Sequence, residues 1–155
     1  MKTTKHLASH FRGVFFGGNW TDSNLKNQLA EVSLKDATTK IQDCNTILAL
    51  TFHIGYYVTG VLEVFNDRPL LIKDKFSYKH AEISTAEDWQ SLCDTIFKHA
   101  ETLAKHIETL PEEHIWDDFS DAKYGNYYRN ILGIIEHTHY HLGQIALLKK
   151  LVRPK

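Results

Sequence analysis

Cysteine is nearly missing from this chain: Cys44 and Cys93 are the only two, and no CxxC spacing occurs. A disulfide is therefore not expected, and two buried thiols in a reducing cytosol is the simpler reading. Proline is scarce as well, and Pro69 and Pro111 fall between periodic segments, where proline punctuates helices. An excess of one charge is also lacking, since 18 Lys+Arg stand against 19 Asp+Glu for a net charge of −1. Nucleic-acid binders carry a basic excess on one face. The densest basic group here, Lys149, Lys150, Arg153 and Lys155, ends a helix, where cations complement the dipole. No nucleic-acid partner is expected. The opening residues MKTTKHLASHF hold no apolar core of signal-peptide length. No apolar run reads as long enough to span a bilayer, so a cytoplasmic chain without a membrane partner is the expectation.

What remains is an ordinary globular balance: 155 residues, 43% hydrophobic and 24% charged. That is enough for one domain, 1–155, with a real core, and it excludes disorder. Apolar positions recur at three and four residues, the period of an amphipathic helix. A first helix is predicted over about Thr4–Phe16, with Leu7, Phe11, Val14 and Phe15 on one face and Gly17-Gly18 as its stop. The turn Asn19–Asp22 is expected to cap a short helical stretch through Leu25 and Leu29, and Ser33 or Asp36 to start another turn.

A second long helix starts after the N-cap Asn45-Thr46, with Ile47, Leu50, Ile54, Tyr57, Val61 and Val64 as its stripe. An irregular stretch to about Ile83 precedes the pattern Ser84-Thr85-Ala86-Glu87, a capping box for a third helix ending at Leu110-Pro111. A segment carrying Trp116 and Phe119 leads to the last helix, about Tyr124–Val152, with Ile131, Ile134, Ile135, Leu142, Ile145, Leu148 and Val152 buried. Four long amphipathic helices without strand signals predict an all-α, four-helix-bundle fold.

Histidine is the abundant residue, with ten copies. His137 and His141 are four residues apart on the last helix, so they stack on one face and can chelate one ion. Accidental pairs arise easily at this abundance, and His6/His10 is a second one. Position favours the later pair. His141 lies about 40° and His137 about 80° from the centre of the apolar stripe, whereas His139 falls about 120° the other way, toward solvent. His53, midway along an apolar helix, supplies a third ligand. A core histidine hydrogen-bonded to a tyrosine or a carbonyl is the alternative for His53 alone. His6 and His10 lie near the terminus and read as surface residues.

The stretches GVFFGGNW and NTILALTFHIGYYV, with IIEHTHYHLGQIALLKKL, resemble the DinB-like superfamily of bacterial four-helix proteins over nearly the whole chain. The specific positions are His53, His137, His141, Gly143 and Gln144. The resemblance implies that the three histidines hold one divalent transition metal, nickel or zinc, and that the protein is a homodimer. It also implies a relation to thiol-dependent S-transferases and isomerases that use low-molecular-weight thiols.

Three imidazoles leave a coordination position open, as in catalytic sites. A thiol or a water entering it loses its proton to the cation's field. No carboxylate is obviously placed to serve as a base: Glu136 projects away from the ligand face, and Glu63 lies only near the His53 face. Thiol transfer is therefore preferred to hydrolysis, and a bundle that binds metal or a small ligand without turnover is the third reading. Gln144 is expected to orient a ligand, and Tyr56 or Tyr57 to line the pocket, with packing favoured for Tyr57.

Overall fold

In the computed structural model, which describes residues 2–153, the chain is all-helical, with no strand among the described residues. The first helix, α1 (Thr3–Phe16), buries Leu7, Phe11, Val14 and Phe15 as its spacing predicts. It stops where Gly17 and Gly18 take φ of +112° and +86°, a region costly for any residue with a side chain. Helices α2 (Leu25–Leu29) and α3 (Leu34–Thr38) follow. Asn24, rather than the 19–22 turn, caps α2 by accepting the Asn27 N–H. Ser33 and Asp36 together make a reciprocal capping box for α3.

Helix α4 (Ile47–Phe65) starts at Thr46, whose hydroxyl accepts the Ala49 N–H at 3.1 Å. It is long and apolar enough by length and composition to cross a membrane, contrary to the sequence expectation; 67% of that stretch is buried here as a core helix. Helix α5 (Ala86–Thr109) has its capping box one residue later than the sequence suggests. Thr85 accepts the Asp88 N–H, and the Asp88 carboxylate accepts from the N–H groups of both Ser84 and Thr85. One short acid satisfies two donors, and Glu87 is left in solvent. Helix α6 (Tyr127–Val152) is capped by Asn126, so Ala122–Tyr124 forms a separate 3-10 turn. Of the two thiols, Cys93 is buried, which pushes it up to about 12, but Cys44 is exposed.

The four long helices close a ring in which α1 packs on α5, α5 on α4, α4 on α6, and α6 back on α1. Phe11, Phe15, Ile54, Leu103, Ile107, Ile131 and Ile145 fill its centre. The contact between α4 and α6 matters for the site, because the chain links them only through α5 and its loops.

Candidate metal centre

His53 faces α6 from the middle of α4, and His137 and His141 face α4 from successive turns of α6. Their ring centroids lie 4.9, 4.7 and 4.6 Å apart, a nearly equilateral triangle. One ring nitrogen from each falls within 4.8 Å of the others, close enough together to hold a metal ion. His53 is 5% and His141 6% exposed, and His137 is half-buried.

Hydrogen bonding decides which nitrogen each ring presents. The Nδ1–H of His53 donates to the Ser77 carbonyl at 3.3 Å, and that of His141 donates to Gln144 Oε1 at 2.7 Å. Both partners can only accept, so each Nδ1 carries the proton and each Nε2 keeps its lone pair. The Nε2 atoms of His53 and His137 meet at 3.0 Å. With a lone pair on His53 Nε2, this contact is a hydrogen bond donated by His137 Nε2–H, and its length is near the roughly 3.3 Å that separates imidazole nitrogens around a tetrahedral ion. His137 Nδ1 is buried without a hydrogen-bond partner among the described residues.

The electrostatics favour the neutral, ligating form. Burial, then the neighbouring His141 and His53, lowers His137 to about 4. Burial and His141 lower His53, and burial lowers His141.

A strap formed by residues 70–78 covers the centre. Ile72 seats on Gly60 of α4, where a Cβ would stand 2.6 Å from the isoleucine side chain. Tyr56 pins the strap by donating to the Lys73 carbonyl at 3.1 Å and accepting the Lys73 N–H at 2.8 Å. Tyr57 adds a second pin, its hydroxyl donating to Asp74 Oδ1 at 2.7 Å. Burial, then Asp74, pushes Tyr57 up to about 12. Beyond these pins the strap delivers Ser77 to His53 Nδ1 and stacks Tyr78 on the His53 ring at 4.1 Å and 11°.

Several site expectations meet their outcome here. Gln144 Oε1 accepts from His141 Nδ1 at 2.7 Å. Tyr57, not Tyr56, lies against the histidines, edge-on to His53 at 5.0 Å and to His137 at 4.8 Å. Tyr56 turns instead to a 560 Å³ cavity on the other side of the strap. Glu63 lines that same cavity and pairs with Arg68 at 2.7 Å, so it is not the site's carboxylate. Glu136 is exposed, as expected. His6 and His10 are exposed, but His139 is half-buried with its ring 6.4 Å from His10 rather than free in solvent.

Sequence reasoning missed Asp74, Ser77 and Tyr78, which come from the segment without a period. Asp74 is a carboxylate that the sequence reading did not place here: it lines, with Tyr57 and His137, a cavity of 660 Å³ beside His137. Compared with family models, curated proteins and solved structures, the chain gives no match.

Proposed function

We propose that the chain is a DinB-like four-helix-bundle protein that holds one divalent transition metal ion, nickel or zinc, on His53, His137 and His141, and that it activates a small thiol for S-transfer. One observation carries this reading: three imidazoles converge, and Ser77 and Gln144 occupy the outward nitrogens of two of them. Neutral imidazoles anchored through the second nitrogen are the usual form of histidine ligands. When bound, the cation supplies the field that converts a thiol to a thiolate at neutral pH. The protein's own residues do the rest. In this reading the cavity beside His137 admits the substrate, Tyr57 and Tyr78 pack against the histidine rings, and Asp74, on the cavity lining, accepts the thiol proton. The thiolate sulfur then forms a bond to an electrophilic carbon, and the leaving group departs with its electron pair.

Asp74 also favours a second reading, a metal-dependent hydrolase, because a carboxylate near the ligands is the base that water activation needs. Cobalt substitution separates the two. Thiol activation predicts sulfur-to-metal charge-transfer absorption when 2-mercaptoethanol is added, and no band in His141→Ala. It also predicts faster conjugation of an electrophile by protein plus thiol than by thiol alone. Turnover of esters or amides in thiol-free buffer selects the hydrolase, and neither response with the ion bound selects a binding protein.

The reading includes a homodimer. Tyr140, Leu147 and Leu151 of α6 are 66%, 59% and 47% exposed. Gly143 lies among them with nothing near its Cβ position. These positions share one face of the helix, a stripe that a second copy can cover.

A further inference from the structure

We infer that the cavity beside His137 takes a small organic anion, a substrate carrying a carboxylate or similar group about one helical turn from the atom that meets the metal. This inference rests on the metal reading above. Its floor is apolar, made by Val61, Ile134 and Phe119, and the polar groups sit at its edges. Ligand sites of this size combine an apolar body with a few convergent polar groups.

The charge that decides the class belongs to Arg129. Its guanidinium runs forward along α6 to Gly133, with Nη1 3.0 Å from where a Cβ would be. Gly133 is the residue one turn before His137, about 6 Å along the axis. Glycine there opens the helix surface, and the guanidinium lies in that opening, on the same cavity wall as His137. Lys73 adds a second cation to the lining.

Two acids oppose them. Asp74 is engaged by the Tyr57 hydroxyl at 2.7 Å. Glu136 approaches Arg129 at 3.7 Å, with both side chains largely exposed. An exposed pair at that separation contributes little, so the planar guanidinium remains able to take a carboxylate in a bidentate contact.

The test uses full-length cobalt-loaded protein and two hydroxamates of equal length, glutaric monohydroxamate and pentanohydroxamate. Both present the same metal-binding head, and only the first ends in a carboxylate. Affinity is read from the visible cobalt spectrum. The expected result is about tenfold tighter binding of the acid, the scale of one charge-assisted contact. Arg129→Ala should erase the difference while leaving cobalt content and pentanohydroxamate affinity unchanged, and Arg129→Lys should restore part of it. Gly133→Ala, which pushes against the guanidinium, should reduce the preference without removing the ion. Equal affinities in the unaltered protein, or a preference that survives Arg129→Ala, overturn the anion assignment alone. Failure to retain cobalt overturns the metal reading and this inference with it.

Discussion

Ser77 and Gln144 accept from the Nδ1–H groups of His53 and His141 and so choose the nitrogen that each ring presents. Gln144→Ala should therefore lower metal affinity about tenfold or more while circular dichroism stays unchanged, and Gln144→Glu, which keeps an acceptor, should recover most of it. Alanine at His53, His137 or His141 should remove most of the ion measured by elemental emission. His139→Ala and the His6/His10 double alanine variant should keep it, and equal loss in all of them would discard the assignment. The thiols give an independent check on burial: Ellman's reagent should modify Cys44 quickly and Cys93 only after denaturation, since the thiolate is the reactive form. The three histidines were legible because four-residue spacing and a helical wheel place side chains on a face. Their supports were not. Ser77, Tyr78 and Asp74 sit in a segment with no period, so nothing local points them anywhere. Tyr56 and Tyr57 follow His53 by three and four residues, about 60° to one side and 40° to the other. Only the packing of α6 decides which tyrosine meets the histidines.

Helix boundaries were read from caps, and the start of α5 shows the limit of that signal. Ser84-x-x-Glu87 and Thr85-x-x-Asp88 both satisfy the capping pattern, and the chain uses the second. Thr85→Ala should cost about 1 kcal/mol in a urea titration, and Ser84→Ala close to nothing. The strap makes a sharper demand. A methyl at Gly60 meets Ile72 at 2.6 Å, so Gly60→Ala should cost about 1–3 kcal/mol as an overpacked contact. It should also lower metal retention, because the displaced strap carries Ser77 away from His53. Adding Ile72→Ala should relieve the clash and restore the ion. Retention unchanged in Gly60→Ala would mean that the strap does not position the site.

The whole molecule is expected to associate through the exposed face of α6. Light scattering at micromolar concentration should report about twice the 17.9 kDa chain mass, and Leu147→Glu should shift it to the monomer. A monomer before substitution removes the dimer. The α4–α6 contact has one more consequence, in terms of polymer statistics. His53 and His137 are 84 residues apart in the chain, so an ion spanning them would close a long loop. In a disordered chain that closure costs about 4–5 kcal/mol of entropy, and only the local His137/His141 pair would meet the ion readily. Here helix packing has closed the loop beforehand, which amounts to roughly a thousandfold difference in affinity between the folded and unfolded chain. By mass action an ion held there would act as a thermal stabiliser: chelator-treated protein should melt about 5–15 °C below the loaded form, and the gap should widen with free metal concentration.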